Sequence, residues 1–300
     1  MPTTTFGALR RRVQVLTGNR IDAVRASILL NQKFTEIAES YSWSWLKGHN
    51  ILTTTAARSD GAVTLTTPTT VTGVGTSFGA GDIGSYLRVA LDVSYYRITN
   101  VVGQVLTLEN QYAGGSFTAS AYVVFRHIYP LVAEARRLLQ IAHWARLRET
   151  TQQIISESDA LLTLSDIPTH FAYAGQHASG AMQIQLYPVP SAAIGLPYDY
   201  LKTIAEPTDD ATMVPLRPDV LTYSTAADAL YTVIAEAPNP AAVQGLLALA
   251  QRYEEKGMAA LQEARYSDQA IAGVPRSVRD DSAQGMYNDA WLASHDLGVF

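Results

Sequence analysis

A stretch of roughly seventy residues, 58–128, has the pattern of β-structure, whereas the chain on either side of it has helical spacing. Within this stretch, short runs rich in Val, Thr, Ile and Tyr alternate with glycine-containing turns. Leu87, Val89 and Leu91 alternate with other residues, which is typical of a strand with one buried face. About six short strands fit a small sandwich or barrel. Because a domain of this size has a marginal core, we expect it to pack on the rest of the chain or on a neighbouring copy.

The segment before this insert predicts one amphipathic helix. Asn19 is a candidate N-cap, and the apolar residues between Ile21 and Tyr41 follow helical spacing. Trp43 and Trp45 come directly after this helix. Two tryptophans at a helix end can form a binding platform, but a hydrophobic plug that pins the helix to its neighbours is the more frequent arrangement. We therefore predict a plug.

The segment after the insert predicts further helices and one β-hairpin. A stripe of apolar residues predicts a helix of about five turns, and it consists of Leu131, Ala135, Leu138, Ala142 and Ala145. A second helical piece is expected around residues 154–164. Residues 182–187 and 198–204 alternate and are predicted to pair as antiparallel strands. Two Ala-rich helices are expected to start near Pro218 and Pro240, because proline is favoured in the first turn of a helix.

Together these patterns predict an α+β fold. Its body is a helical bundle made of residues 1–50 and 129–266, with a late β-hairpin at about 182–204. A small all-β module, residues 51–128, is inserted into this body. Residues 267–300 are predicted to form an extended C-terminal arm, because glycine, proline and aspartate replace the helical pattern there.

The predicted arm carries the candidate contact residues for partners or other copies of the chain. These are Tyr287, Trp291, Phe300, Arg276 and Arg279. Spaced aromatic and arginine side chains of this kind are common anchors at protein–protein interfaces. We expect the arm to dock on another chain; the alternative is an arm that lies on its own subunit.

Composition excludes several classes of protein. The chain contains no cysteine, so disulfides, thiolate nucleophiles and iron–sulfur sites are excluded. No apolar run reaches the length of about 20 residues that a membrane span needs. The N-terminal sequence has no apolar core of a secretion signal, which predicts synthesis as a soluble protein in the cytoplasm, with no membrane partner.

The net charge of −5 is unevenly distributed. Residues 1–50 carry seven Lys/Arg and three Asp/Glu, whereas residues 129–266 carry nine Lys/Arg and fifteen Asp/Glu. Residues 267–300 carry two Lys/Arg and five Asp/Glu. The N-terminal end is basic, residues 51–128 are neutral with four of each sign, and the remainder is acidic. This distribution permits head-to-tail matching between copies; ordinary solvated faces are the alternative. An acidic chain of this kind is not a general nucleic-acid binder.

Several sequence motifs suggest chemistry but lack its context. Residues 75–79 match G-x-S-x-G, yet a nucleophile elbow needs a helix after the serine, and another strand is predicted here. Residues 79–84 match G-x-G-x-x-G, which we interpret as turn glycines for the same reason. The six histidines are scattered, and the aspartate pairs at 209–210 and 280–281 lack a spaced set of calcium ligands. We therefore predict no enzyme activity, no metal site and no cofactor.

The order of these segments resembles that of the head–tail adaptor, or connector, proteins of tailed bacteriophages. The resemblance covers about residues 20–265 and consists of four groups of residues that follow one another along the chain in the order found in these adaptors. They are the aromatic cluster Tyr41, Trp43, Trp45 and Leu46; the phrase Thr70-Val71-Thr72-Gly73-Val74-Gly75-Thr76-Ser77-Phe78 with Ile83-Gly84, Tyr96-Arg97-Ile98, Leu106-Thr107-Leu108 and Tyr112; the phrase Ile184-Gln185-Leu186-Tyr187-Pro188-Val189-Pro190 with Tyr198-Asp199-Tyr200; and Val214-Pro215-Leu216 before the Ala-rich helices.

The resemblance implies a structural protein of the virion neck. Such adaptors form a ring, usually dodecameric, that docks beneath the portal and joins the capsid to the tail. The implied partners are copies of the same chain, the portal, and tail, nozzle or fibre proteins, and packaged DNA would pass through the channel without sequence-specific binding. The alternative is a tail or baseplate protein whose β-module binds fibres or glycans; an enzyme is a third reading.

Overall fold

In the computed structural model, the described residues are 4–90, 92, 94–236 and 240–271. They contain five α-helices: α1 (Phe6–Leu16), α2 (Ala23–Glu39), α3 (Gln152–Ser158), α4 (Pro218–Glu236) and α5 (Pro240–Ile271). The strands are β1 (Thr4–Thr5), β2 (Lys47–Thr53), β3 (Ala62–Thr67), β4 (Thr70–Val74), β5 (Tyr86–Val89), β6 (Tyr96–Val102), β7 (Val105–Leu108), β8 (Tyr122–Phe125), β9 (Ile128–Pro130), β10 (Ala135–Ile141), β11 (Arg148–Glu149), β12 (Ser165–Asp166), β13 (His170–Gln176), β14 (Met182–Tyr187), β15 (Val189–Pro190), β16 (Gly195–Lys202) and β17 (Met213–Val214).

The chain divides into two compact units. The first unit is drawn from both ends of the chain, Met1–Lys47 and Ile204–Phe300, and the second is the continuous segment Gly48–Thr203. The first unit contains helices α1, α2, α4 and α5, and α4 packs against the other three. The second unit contains most of the strands, and its one helix in the described residues is α3.

Local sequence signals explain where the helices of the first unit begin. The side chain of Asp22 accepts a hydrogen bond from the Arg25 N–H at 2.7 Å and is the N-cap of α2. The prediction that Asn19 caps this helix is wrong, because Asn19 lies in a left-handed turn with φ 57°. Helices α4 and α5 begin at Pro218 and Pro240, as predicted, because the fixed φ of proline suits the first helical position.

The tryptophans after α2 form the predicted plug. Trp43 is 0% exposed, and its indole N–H donates a hydrogen bond to the Ile37 carbonyl at 3.0 Å. Trp45 stacks on Phe34 of α2, with ring centroids 6.0 Å apart. The buried ring of Trp43 and the half-buried ring of Trp45 pack on the helix that precedes them and hold its end in place.

The second unit contains a small antiparallel barrel formed by β3 to β8. Its six strands are ordered β3-β4-β7-β6-β5-β8, and their inward-facing residues, such as Val71, Leu87 and Ile98, form one buried core. The two edges of this sheet also meet, because Val63 of β3 exchanges two 2.9 Å backbone hydrogen bonds with Ser120, just before β8. This bridge leaves fewer of the unpaired backbone groups that an open sheet exposes, but it closes the sheet only locally. These strands lie within the segment predicted to be β-structure, and their number agrees with the six short strands expected from the sequence.

Beside the barrel, the second unit forms two further sheets that share a core. One sheet has the order β10-β16-β2 and the other β11-β13-β14-β9. Ile141 of β10, Ile184 of β14 and Tyr198 of β16 belong to one buried cluster, so the two sheets pack face to face. A second cluster joins Phe125 of β8 to Ile155 of α3 and therefore fastens the barrel to this sandwich.

The predicted helical-bundle body is wrong. Helices and strands occupy similar shares, 34% and 32%, and residues 129–203 form strands and only one short helix. The five-turn helix predicted from Leu131 is absent, since residues 135–141 form β10. The helix predicted at 154–164 is the shorter α3, Gln152–Ser158. The body of the chain is therefore helical only in its first unit.

Two β-bulges explain why β10 has the spacing of a helix. Along β10 the buried residues are Ala135, Leu138 and Ile141, three positions apart, whereas their partners on β16 are Lys202, Tyr200 and Tyr198, two positions apart. Each register shift places an extra residue in β10, so its inward side chains recur every third residue instead of every second. Ala135 and Leu138, the centre of the stripe that predicted a helix, therefore belong to a twice-bulged strand, whose next buried residue is Ile141 and not Ala142.

The predicted late hairpin is also wrong in its pairing. Both strands are present, as β14 and β16, but they do not pair with each other. Instead β14 lies between β13 and β9, and β16 pairs with β10. The two strands therefore lie in opposite sheets of the sandwich.

Candidate partner-binding surfaces

The G-x-S-x-G motif forms a loop at the rim of the barrel. The Ser77 hydroxyl donates a hydrogen bond to Asp60 at 2.7 Å, and the Arg58 guanidinium donates to the Ser77 carbonyl at 2.7 Å. Asp82 accepts hydrogen bonds from Arg58 and from the Gly79 N–H, the latter at 2.8 Å. The hydrogen bond from Ser77 lowers the pKa of Asp60 below its ordinary value. The serine is thus held by a carboxylate and an arginine, and this network anchors the loop.

The two glycine motifs are turns, as predicted. After Gly79 the chain makes a single 3-10 turn, Ala80–Asp82, and then enters strand β5. No α-helix starts there, so the backbone does not present the row of free N–H groups that binds a dinucleotide phosphate. Among the described residues, no group of three or more His, Asp and Glu is arranged to hold a metal ion.

His127 is the most perturbed histidine of the described residues. It is 3% exposed and lies against the rings of Tyr86, Tyr95 and Phe125, with centroid distances of 4.4, 5.8 and 5.6 Å. Its Nδ1 atom has no hydrogen-bond partner. Burial lowers the pKa of His127 to about 4, because charging the ring in these apolar surroundings is unfavourable. His127 is therefore a neutral core residue at physiological pH.

Helices α1 and α2 of the first unit expose several large apolar side chains. Val15 is 71% exposed, and Val24 and Ile28 are more than half exposed. The opposite face of α1, with Leu9 and Val13, is buried. Aliphatic groups exposed on adjacent helices are a common feature of surfaces that bind another protein.

A groove of about 470 Å³ runs between α1 and α4 in the first unit. Leu16 and Tyr223 line it together with the aliphatic side chain of Val15. The guanidinium groups of Arg11 and Arg12 stand on the α1 side, and within the described residues neither has an ion-pair partner. The groove thus combines apolar surface with unpaired positive charge.

In the second unit, the indole ring of Trp144 is almost completely exposed to solvent. Trp144 is 90% exposed at the apex of a tight loop that follows β10. This loop is closed by a bridge between Ala142 and Arg146, and the Trp144 indole N–H donates to the His143 ring at 3.0 Å. The hydrogen bond and the bridge limit the movement of the indole ring without covering it. A pre-oriented, exposed tryptophan is a frequent anchor in protein interfaces.

A shallow depression of about 370 Å³ lies on the sandwich of the second unit. Tyr173, Met182 and Arg136 are among the residues that line it. These side chains provide apolar surface and one guanidinium group. They do not bring together the general acid, the general base and the hydrogen-bond donors that an active site needs. The depression is suited to a side chain of a partner better than to a reaction.

The contact residues predicted from the sequence, Tyr287, Trp291, Phe300, Arg276 and Arg279, lie outside the described residues. The structure instead shows two candidate surfaces that the sequence patterns do not predict, the α1–α4 groove and Trp144. The groove could have been suspected from the run Arg10-Arg11-Arg12 in the basic N-terminal segment. No sequence pattern indicates that Trp144 is exposed, because the sequence around it predicts a helix.

Comparison with known proteins assigns no family. No protein-family model matches the chain, and no curated protein matches it. Within the described residues, no helix combines the length and the apolar character needed to cross a membrane.

Proposed function

We propose that the chain is a structural protein of the neck of a tailed-phage virion, an adaptor whose copies form a ring beneath the portal. The observation that carries this proposal is the set of large apolar side chains exposed in both units, with Trp144 as its most exposed member. Large apolar side chains that group on one surface frequently mark a site that binds another protein. A ring subunit needs such surfaces on more than one side, because each copy contacts two neighbours and a partner above or below.

The order of the two units supports the same proposal. A β unit inserted between helices drawn from both chain ends matches the order of segments on which the adaptor resemblance rests. A sandwich replaces the expected helical body and the expected hairpin, so the support comes from the order of segments along the chain and not from their predicted structures. The inserted unit exposes Trp144, a side chain that suits a different partner such as a tail or fibre protein.

The distribution of charge is consistent with a channel through which DNA passes. Helix α5 exposes Glu254 and Glu255, and neighbouring segments carry further carboxylates. Negative surface repels a phosphate backbone and lets it slide without sequence-specific contacts. In this proposal, an acidic face of the ring lines the channel.

Cryo-EM of virions that contain the chain tests its location. We expect density that accommodates the helical unit and the inserted β unit in a ring at the junction of portal and tail. Density at the tail tip would instead support the alternative of a baseplate protein that binds fibres or glycans. Absence of the chain from purified virions would overturn both.

Two variants of Trp144 test whether the exposed ring acts in assembly. Trp144→Ser removes the aromatic surface and should reduce incorporation of the subunit into particles, whereas Trp144→Phe keeps an apolar ring and should largely restore it. Both variants should retain the circular dichroism of the parent, because the side chain is exposed. Equal incorporation of the Ser and Phe variants would show that the ring makes no contact in the particle.

A further inference from the structure

We propose that the segment 280–300 of one copy docks in the α1–α4 groove of a second copy. The proposal rests on the proposed function only in requiring that copies of the chain associate. It assigns to the groove a ligand of stated chemistry, an acidic peptide that carries aromatic rings. It also assigns a receptor to the aromatic residues of the C-terminal segment.

The groove is suited to carboxylates because its cations are unopposed. Arg10, the first of the three arginines of α1, is paired with Asp210 at 2.6 Å, whereas Arg11 and Arg12 line the groove and form no ion pair with an acid of the described residues. Lys256 adds a third cation, since its ammonium lies 5.4 Å from the centre of the Tyr223 ring that lines the groove. Guanidinium groups bind carboxylates through paired, charge-assisted hydrogen bonds.

The one acid in the groove does not cancel this charge. Asp219 lines the groove at the start of α4, and its carboxylate lies 3.7 Å from the guanidinium of Arg217. Arg217 is itself bonded to Glu263 at 2.8 Å, so these three groups form a local network of their own. Two arginines and a lysine are therefore left to attract an anionic partner.

The groove also has the apolar surface that an aromatic side chain requires. Val15 projects with 71% of its surface exposed, next to Leu16. On the other side lies Tyr223, whose ring is held in place by stacking on Tyr253 at a centroid distance of 5.9 Å. A fixed aromatic wall opposite aliphatic groups is an arrangement that accepts a Trp or Phe side chain.

The C-terminal segment has the complementary composition. Residues 280–300 contain four aspartates, no lysine and no arginine, and they include Tyr287, Trp291 and Phe300. Asp289 and Trp291 are two residues apart, so in an extended peptide they project from the same side about 7 Å apart. That spacing lets one peptide present a carboxylate to Arg11 and Arg12 and an indole to Val15 and Tyr223.

The length of chain beyond α5 allows docking on a second copy. Lys256 lies beside the groove, and α5 continues past Glu263, which is bonded to Arg217 at the start of α4, to Ile271. Residues 272–279 span at most about 29 Å when extended, so the segment 280–300 can reach the groove of a neighbouring copy. A contact of one copy's tail with the next copy's groove is heterologous, the type of contact that closes rings.

Photo-cross-linking of the full chain in solution tests this proposal. A benzophenone amino acid replaces Val15, and unlabelled protein carrying it is mixed with 15N-labelled parent protein before irradiation. We expect mass spectrometry to find the benzophenone joined to 15N-labelled peptides from residues 280–300. Cross-links confined to unlabelled tail peptides would show docking within one copy, and cross-links that avoid residues 280–300 would show another occupant; either result overturns the proposal.

Charge reversal supplies the matched controls. Arg11→Glu with Arg12→Glu should lower the cross-link yield at least about tenfold, the change that a loss of about 1.4 kcal/mol in binding produces. Adding Asp289→Lys and Asp296→Lys to the tail should restore part of the yield. Arg137→Glu, an exposed arginine of β10 in the other unit, should leave it unchanged. An unaltered yield in the Arg11→Glu, Arg12→Glu variant would show that charge does not direct the tail to the groove.

This experiment is independent of the virion. Tail-to-groove cross-links between copies without cryo-EM density at the portal would support the docking contact and overturn the neck location. Neck density without such cross-links would support the neck location and overturn the docking contact.

Discussion

The carboxylate of Asp268, near the end of α5, accepts hydrogen bonds from the Ser44 N–H at 2.9 and 3.1 Å and also from the Ser44 hydroxyl. Asp268 is 1% exposed. Ser44 begins the 3-10 turn that holds the tryptophan plug after α2, so the end of α5 is tied to the end of α2. Helix α5 thus extends five residues into the segment predicted as an extended arm, and the tie explains why it remains helical there.

Asp268→Ala should destabilise the first unit. The change leaves the N–H of Ser44 and its hydroxyl without their acceptor, and a buried donor without a partner costs about 1–3 kcal/mol. Urea unfolding followed by tryptophan fluorescence measures the effect. Glu255→Ala, on the exposed surface of the same helix, is the matched control and should change the free energy of unfolding by less than about 0.5 kcal/mol. Equal effects of the two substitutions would show that the Asp268 contact contributes nothing to stability.

Trp43→Ala and Trp144→Ala should differ strongly in their effect on stability. Trp43 is fully buried and hydrogen-bonded, so its truncation leaves a cavity and should cost about 3–5 kcal/mol. Trp144 is exposed, and its truncation should be nearly neutral for folding. Thermal or urea unfolding of both variants measures the difference. A destabilised Trp144→Ala protein would show that the indole is packed in solution.

Burial of His127 predicts a loss of stability in acid. Its pKa is about 4 in the folded chain and about 6.5 when unfolded, so between these pH values the unfolded chain binds more protons. The free energy of unfolding should therefore fall as the pH drops from 6.5 towards 4, by about 3 kcal/mol in total. Above pH 6.5 the residue is neutral in both states and contributes no pH dependence.

His127→Phe should flatten this part of the pH profile, because phenylalanine does not titrate. His177→Gln, at an exposed histidine, is the control and should leave the profile as it is in the parent protein. NMR titration of the histidine ring signals provides a direct check. A His127 pKa at or above 6.5 would contradict the role assigned to burial.

Ser77→Ala should raise the pKa of Asp60. In the parent, the Ser77 hydroxyl donates a hydrogen bond to the Asp60 carboxylate and so favours its charged form. NMR titration of the Asp60 carboxyl carbon measures the change, with Asp166 as an internal reference elsewhere in the same unit. An unchanged Asp60 pKa would show that the hydrogen bond is not formed in solution.

Several features of the fold could be predicted from local sequence because local chemistry decides them. The alternation at Leu87 and Val89 predicts a strand, and the proline at 218 predicts a helix start, wherever the rest of the chain lies. The tryptophans at 43 and 45 were predicted to be a plug because large rings are seldom left in water. The candidate surfaces could not be derived in this way, since exposure depends on what the remaining chain covers.

The amino-acid sequence by itself determined the strands of the inserted barrel, the starts of the last two helices and the apolar character of residues 131–145. Only the tertiary structure decided that Ala135, Leu138 and Ile141 belong to a strand. Their spacing of three residues arises from two bulges opposite β16, and along the sequence it cannot be distinguished from the spacing of a helix. The tertiary structure also decided that Trp144 is exposed and that β14 and β16 lie in different sheets. Such pairings depend on contacts between distant residues, and a local pattern carries no information about which partner a strand will meet.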